Sequence, residues 1–556
     1  MTDVKTIKKT AEEFAKEQKE ISISEFFEKN KHLLGFDNPT KALLMTVKEA
    51  VDNGLDACEE AGVLPDVNVK IKQTGEDRFR VIVQDNGPGI VKEQIPKIFG
   101  KLLYGSKFHR LRQSRGQQGI GISAVVLYSQ LTTGLPTKVW SRTDEKKKVH
   151  YYELFINTTK NEPEIVKEQT MDDGLERGVK VEIDVVGRYR KTQSVDDYLK
   201  QTSVANPFAR ITYNAPDGTK IIFPRSFDKL PKPPKEMKMH PYGVEFGILQ
   251  RVLGKTNSKT LQSFLVNEFS SVGAQTAKEI CKVAKLDPNA KPTSLDRAGI
   301  EKLLNAMQKV KIQRPPLDCL SPIGKEELEK SLKKEYPQAE FITVVEREPE
   351  VYRGMPFQIE VGVVYGNVGS NEEPIDVLRI ANRVPLLYQA GACSTIESAK
   401  DVDWKRYGLQ QPKNSLPIGS AILVIHMSSV WVPFVSESKE AIAPYPEIVK
   451  EMKLAVQDAA RELSRYLSGK RRAGEQKRRI QIFERYAKEV AASLSVLTGE
   501  EENIIEKKLL SIIENRNKMK NFEEQETVTI PVAEANSKTN PKERRKEKSL
   551  EEFREE

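Results

Sequence analysis

Between Glu49 and Gly121 three short patterns follow one another in fixed order, and each demands a different local fold. The first lies in KALLMTVKEAVDNGLDACEEAG, where Leu44, Val47, Val51, Leu55 and Cys58 recur at helical spacing. Glu49, Asp52, Asn53 and Asp56 form a second stripe at i, i+3, i+4 and i+7. Taken alone, this is an amphipathic helix with a solvated polar face, capped by Asn38 with Pro39 in its first turn. The second pattern, RFRVIVQDNGPGI, reads as a buried strand running into a turn that holds Asp85, Gly87 and Gly89. Its Asn-Gly pair by itself would close a hairpin. The third, RGQQGIGISAVVLYS, sets Gly116, Gly119 and Gly121 at the start of a helix, where backbone N–H groups and the positive helix end suit phosphates. Each pattern is weak evidence singly, and their ordered recurrence is not. No GxxxxGK[ST] phosphate loop occurs anywhere in the chain.

At about 150 residues per domain, 556 residues imply three or four domains. A hydrophobic share of 38% with 30% charged residues implies folded modules under a charged surface. The net charge of +9 permits an anionic partner without demonstrating one. Aliphatic runs such as Ala421–Ile425 fall far short of the roughly 20 residues that cross a bilayer. The charged N-terminus has no apolar secretory core. The expectation is a cytoplasmic protein. Cys58, Cys281, Cys319 and Cys393 are scattered without a CxxC pair, so they read as buried free thiols rather than a metal site.

Composition and periodicity give the organisation. Residues 1–24 form a charged arm, and β-rich runs such as Phe79–Val83 and Val179–Val185 alternate with helices up to about 230. Leu230-Pro231-Lys232-Pro233-Pro234-Lys235 can continue neither a helix nor a central strand and marks a boundary. Residues 231–312 comprise this linker and a small helical insert. Strand alternation returns in FITVVERE, FQIEVGVVYG and SAILVIHMSSVWVPF, and residues 313–470 form a second α/β domain entering a long helix from Glu447. A helical extension over 471–500 and a charged tail over 501–556 complete the chain.

The ordered ExxxN, DxGxG and GxxGxG set resembles the Bergerat-fold ATPases, which include gyrase, mismatch-repair ATPases, heat-shock chaperones and histidine kinases. The resemblance implies that Asn53 ligates Mg2+, Glu49 is the general base that activates water, and Asp85 accepts a hydrogen bond from the adenine amino group. Gly87 and Gly89 would admit the backbone close to the base. Ser106 and Lys107 match lid positions, and Gly116, Gln117, Gln118, Gly119, Ile120, Gly121, Ile122 and Ser123 the phosphate-binding lid. ATP and Mg2+ are the implied cofactors.

Within this superfamily the match over roughly residues 24 to 495 is to the B subunits of type IIB topoisomerases. It rests on SISEFFEKNKHLLGFDNPTKAL, KIFGKLLYGSKFHRLRQSRGQQGIGISAVVLYSQ, PKPPKEMKMHPYGVE, and VDWKRYGL with SESKEAIA. The implied fold is α+β and multidomain: a Bergerat-fold α/β sandwich over 25–230, a helix-two-turns-helix module, and a transducer domain with a long C-terminal helix. In SESKEAIA, Lys439 resembles the lysine that reaches from the transducer to the γ-phosphate and so takes part in catalysis. The implied partners are double-stranded DNA, a second copy joined on ATP binding, and a separate A subunit that carries the cleavage tyrosine, in an A2B2 assembly. One departure is visible: Gly178-Val179 stands where relatives have Gly-Thr, which removes a hydroxyl beside the base.

Other features are weaker. Asp401-Val402-Asp403 has the spacing of a two-carboxylate cleavage site but lies in a structural context. Lys470, Arg471, Arg472, Lys477, Arg478 and Arg479 would attract phosphates without reading sequence, or form a solvated helical face. The Ser271-Val272-Gly273 turn could offer amides to phosphates. The rival enzyme reading is a mismatch-repair or chaperone ATPase, which would not call for the helical insert. A histidine kinase lacks support from any of the five histidines, and a nucleotide-sensing scaffold would tolerate Glu49→Ala.

Overall fold

The computed structural model describes residues 21–106, 110–116, 119–172, 175–436 and 438–512, together with Ala15. Residues 1–14 and 16–20 of the N-terminal arm, the tail beyond 512, Lys107, Gln117 and Gln118 lie outside the described residues. The chain divides into two compact units, residues 1–464 and 465–556.

In the first unit, helix α1 (Ile23–Lys29) begins inside the last two residues of the expected arm, because the Ser22 hydroxyl caps the Glu25 N–H at 3.1 Å and Phe27 packs on the core. Helix α2 (Pro39–Glu60) begins as its sequence dictates: the Asn38 side chain accepts the Lys41 N–H at 2.9 Å, and Pro39 occupies the first turn. Fifteen of its 22 residues are buried, Asp52 and Asp56 among them, so its polar stripe is not a solvated face. The stripe is covered because other parts of the unit supply partners for it, including Tyr198 on Asp52 and Arg115 on Asp56.

The first sheet contains β1 (Asp66–Gly75), β2 (Arg78–Gln84), β3 (Thr137–Arg142), β4 (Val149–Asn157), β5 (Glu162–Met171), β6 (Gly178–Val186), β7 (Arg210–Asn214) and β8 (Lys220–Phe223). Their order is β5-β4-β3-β6-β2-β1-β7-β8, antiparallel except for the β1/β7 pair. Strand β2 sends Phe79, Val81 and Val83 to the buried face, where they join Val47, Val51 and Leu55 of α2 and Val125 and Val126 of α4 (Gly121–Thr133) in one core; α3 (Ile95–Gly100) precedes α4. The result is a two-layer α/β sandwich with α2 across the sheet. Burying one residue such as Leu55 or Val51 contributes about 1.5–3 kcal/mol, which makes α2 a rigid base for the polar residues it carries. Residue 85 does not close a hairpin: β2 pairs with β1 and β6, and the chain beyond it crosses to the loop before α3.

Helix α5 (Val195–Ala205) follows β6, and then α6 (Phe246–Lys255), α7 (Leu261–Glu268), α8 (Ala274–Ala284) and α9 (Arg297–Lys309) pack on a core of their own built on Leu249, Phe264, Ile280 and Leu303. Ser271 turns the chain between α7 and α8 at φ 60°. Helix α10 (Lys325–Glu335) leads into the second sheet: β9 (Phe341–Glu346), β10 (Glu350–Tyr352), β11 (Met355–Tyr365), β12 (Asp376–Ala381), β13 (Val384–Pro385) and β14 (Ala421–Ser429). Its order is β10-β11-β14-β12-β13, with β9 also paired to β11. Every residue of β14 is buried: Ala421–Ile425 run apolar without alternation, as a central strand needs, and the buried His426 ring is paired with Glu360 of β11 at 2.6 Å. After α11 (Ser394–Lys400), α12 (Pro446–Thr498) starts with a buried stripe, Ile448, Met452, Ala455, Val456, Ala459 and Leu463. Asp401 pairs with Lys453 at 3.6 Å and Asp403 with Arg406 at 2.8 Å, so the two carboxylates are engaged in ion pairs.

The second unit carries the distal part of α12, on which Lys470, Arg471, Arg472, Lys477, Arg478 and Arg479 are exposed. Among the described residues no helix is long and apolar enough to cross a membrane.

Candidate active site

A cavity of about 580 Å³ opens between α2, the segment after β2 and the loop before α4. Glu49, Asn53, Asp85, Gly89, Ser106, Gly116, Gly119, Ile120, Gly121, Ile122 and Lys439 all line it. Two other residues singled out in the sequence do not. Gly87 stands behind Asp85 and donates its N–H to Asp85 Oδ1 at 2.8 Å, and Ser123 is buried with its hydroxyl on the Ile120 carbonyl at 3.0 Å.

Asp85 is buried at the end of β2. Its Oδ1 accepts N–H groups from Gly87 and, at 3.2 Å, from Val179, while Oδ2 meets no hydrogen-bond donor among the described residues. Burial raises its carboxyl to about 6 against the opposing pull of those two N–H groups. Position 179 therefore serves Asp85 through its backbone: the missing hydroxyl of Val179 leaves this contact intact. Gly178, at φ 110°, is required here, since a Cβ would come within 2.2 Å of the Asp85 carbonyl oxygen. The turn after Asp85 is pinned by Ser141, whose hydroxyl accepts from the Ile90 N–H at 2.7 Å and donates to the Ile90 carbonyl at 2.8 Å.

Glu49 and Asn53, one helical turn apart on α2, face the cavity. Asn53 is exposed to it and makes no hydrogen bond to another described residue. Gly121 packs against Glu49 so closely that a Cβ there would fall 1.8 Å from Glu49 Oε2, so the glycine opening α4 brings the helix end up to the carboxylate. Lys48 lies beside this pair with its Nζ 3.0 Å from Asp52 and 3.6 Å from Glu49. These carboxylates hold it protonated in spite of its burial.

Lys439 enters from the other side on the loop after β14. It adopts φ 54° and donates from Nζ to the Arg115 carbonyl at 3.1 Å. Burial lowers its pKa, with the carboxylate of Glu49 the first of the charges acting in the opposite sense.

Sequence reasoning gave Arg115 no role, yet it is the hub under the glycine loop. Its guanidinium is buried, donates to Asp56 at 2.8 Å and also reaches Glu59 and Asn206. Arg383, beyond β12, donates to the other oxygen of Glu59 at 2.8 Å. Asp56 and Glu59, one turn apart on α2 and both facing inward, were the available signal. Gly54 was also missed; it lines the cavity where a Cβ would press on that of Asp85 at 3.1 Å. All four cysteines are buried and free, and burial next to the negative Asp85 pushes the Cys58 thiol up to about 12.

Comparison with known proteins agrees with this architecture. Residues 39–158 match the family described as histidine kinase-, DNA gyrase B- and HSP90-like ATPase, and residues 315–479 match the topoisomerase VI B subunit transducer. The B subunit of type 2 DNA topoisomerase 6 from Methanosarcina barkeri is 53% identical over 460 residues, covering 82% of this chain and 74% of that protein. That of Archaeoglobus fulgidus is 50% identical over 456 residues, covering 82% and 75%. The Thermococcus onnurineus protein of the same name is 40% identical over 555 residues, covering 91% of this chain and 97% of its own length. Gyrase B of Myxococcus xanthus is similar at TM-score 0.41 and 10% identity, covering 79% of this chain and 95% of that one. With identities of 50% and 53% over 82% of its length, and with both modules matched, the chain belongs to the family of type 2 DNA topoisomerase 6 B subunits.

Proposed function

We propose that the cavity binds ATP with a divalent ion and hydrolyses it, and that the cycle opens and closes a dimeric clamp on DNA. The observation that carries this reading is the convergence of Glu49, Asn53, Asp85 and Lys439 on one cavity from three distant stretches of chain.

The residues fit the ligand. Asp85 Oδ2 is a buried acceptor with an open valence, suited to an adenine amino group. Gly119 and Gly121 bring backbone N–H groups to the mouth of α4, where phosphate charge is favoured, while Gly116 lines the cavity with its N–H on Asp56 at 3.4 Å. Among the described residues no cluster of His, Cys, Asp and Glu could hold a metal by itself, so a cation here must be shared with phosphate oxygens. Asn53, with a side-chain carbonyl oxygen facing the cavity, is the protein ligand such a hard ion would take. Mg2+, when bound, supplies positive charge against the triphosphate. Glu49 then holds the attacking water and takes its proton, and Lys439 and the loop amides stabilise charge on the transferred phosphoryl oxygens. Ser106, Ile120 and Ile122 complete the lid with Lys107, Gln117 and Gln118, and Gly89 admits the base, whereas Gly87 acts only through its N–H on Asp85 and Ser123 only by packing beneath the lid.

Departure of the γ-phosphate takes away what Lys439 holds, which frees the second sheet module to rotate. In this reading residues 25–230 form the ATPase module, 231–312 the linker and helix-two-turns-helix module, 313–470 the transducer and 471–500 its extension. The arm at 1–24 crosses to the other copy's site. Two copies close on ATP, trap a duplex against basic residues such as Arg471 and Arg478, and drive it through a break made by a tyrosine-bearing A subunit in an A2B2 assembly in the cytoplasm. The test mixes the chain, that tyrosine-bearing partner and supercoiled DNA with and without ATP and Mg2+. Relaxation only in the complete mixture supports the reading, and relaxation without ATP rejects it.

A further inference from the structure

Lys41 occupies the first turn of α2, where the positive helix end disfavours a cation, and its side chain is only 7% exposed. Neither helix stability nor solvation accounts for a lysine there. Its partners do: Nζ lies 2.7 Å from Asp37 and forms an ion pair with Glu440, the residue that follows Lys439. Glu440 is buried as well, at 5% side-chain exposure, and its carbonyl accepts from Arg379 Nη1 of β12 at 3.2 Å. Arg379 Nη2 also donates to the Tyr388 carbonyl at 2.8 Å, and the Tyr388 ring lies 5.6 Å from Lys41 Nζ. The loop that carries Lys439 is thus held from one side by β12 and from the other by α2, the helix that carries Glu49.

A buried ion pair returns little net stability, because desolvation offsets the attraction, but it defines position sharply. Position is what Lys439 needs. A lysine at φ 54° sits in a sparsely populated conformation that persists only where its surroundings impose it. The Lys439 N–H to Ser436 carbonyl bond at 3.0 Å and the Glu440 anchor flank that residue on both sides.

We propose that Lys41 is a positioning residue for phosphate chemistry: through Glu440 it latches the Lys439 loop onto α2, so that Lys439 reaches the cavity. This rests on the reading of Lys439 as the γ-phosphate contact. A single pair, made across the two modules, would also register whether they are docked.

The test measures ATP turnover and affinity for the non-hydrolysable analogue AMP-PNP in the full chain carrying Lys41→Met, Lys41→Arg, Glu440→Gln or Lys439→Ala. Misplacement of a catalytic group by about 1 Å costs about 10²-fold, so Lys41→Met and Glu440→Gln should lower kcat toward that extent. AMP-PNP affinity and KM should hold, Lys41→Arg should restore most of the rate, and the Met/Gln double variant should be no slower than the worse single one. Should Lys41→Met fail to fold, Glu440→Gln, which keeps the side-chain shape, carries the same expectation. A normal kcat in Lys41→Met or Glu440→Gln beside a slow Lys439→Ala overturns the latch alone. So does a loss of turnover matched by equal loss of AMP-PNP binding. A normal kcat in Lys439→Ala overturns the phosphate-contact reading, and the latch with it.

Discussion

Two sides of the cavity are built on opposite plans. Glu49 and Asn53 project from a helix with most of its residues buried, over a core that includes Val47, Val51 and Leu55 at no measurable exposure. Lys439 projects from a short loop in a left-handed conformation, held by a carbonyl contact, an ion pair and a few turn hydrogen bonds. If Glu49 acts as proposed, the carboxylate side presents a water to phosphorus in the same geometry every cycle, which a packed helix provides. In the proposed reading the lysine side must release when phosphate leaves, which a loop fixed by a few polar contacts to α2 and β12, and not by apolar packing along a helix, allows. In that reading the difference puts chemistry on the wall held by apolar packing and signalling on the wall held by polar contacts.

Substitutions on each wall sharpen that contrast. Glu49→Ala should cause the largest effect, a loss of about 10² to 10⁴ in ATP hydrolysis with nucleotide binding retained, measured by phosphate release and AMP-PNP titration. Lys439→Ala should lower turnover by about 10² to 10³, the range for losing one donor to a developing charge. It should also uncouple the modules, seen as nucleotide-bound dimers in solution scattering that no longer change on hydrolysis. If both variants lose binding and turnover together, the two walls do not differ in role.

Asp85→Asn acts on neither wall. Losing a hydrogen bond to a charged acceptor costs about 1.5–3 kcal/mol, so affinity should fall roughly 10- to 100-fold. Stability should move the other way. The Asp85 carboxyl is raised from 3.8 to about 6, so its contribution is fully present below pH 3.8 and is lost as pH rises through 6. Above that pH wild type carries a buried negative charge that asparagine lacks. The variant should therefore melt no lower than wild type at pH 8, and Tm curves that cross the other way would reject the assignment. The smallest effect belongs to the basic helix: Lys470→Gln with Arg471→Gln should weaken DNA binding uniformly across sequences and reduce the salt slope by about 1 for each phosphate no longer neutralised.

The first wall was legible because its signals are local. Helical spacing gave α2, and alternation gave β2 and β6, whose observed ranges extend the read ones by a residue at each end. The stripe of Glu49, Asp52, Asn53 and Asp56 was visible too, but not its division of labour. Asp52 and Asp56 are consumed by Lys48, Tyr198 and Arg115, and two of those partners arrive from 59 and 146 residues away. The hairpin that Asn86-Gly87 would suggest by itself does not form for a similar reason: the Asn86 side chain is occupied with the Leu64 carbonyl at 3.0 Å and the Asp66 N–H at 2.8 Å. Lys439 came only through resemblance, since a lysine on a loop carries no periodicity. Arg115 left only the indirect trace of Asp56 and Glu59 one turn apart, and the Lys41–Glu440 pair left none, because buried pairing between distant segments makes no local pattern.

The division of roles within the cavity is tested most directly by paired measurement of AMP-PNP affinity and ATP turnover in Glu49→Ala beside Asp85→Asn. The first should retain the nucleotide and barely consume it, while the second should turn over normally once saturated but bind weakly. Normal turnover in Glu49→Ala, or undiminished affinity in Asp85→Asn, would contradict that division.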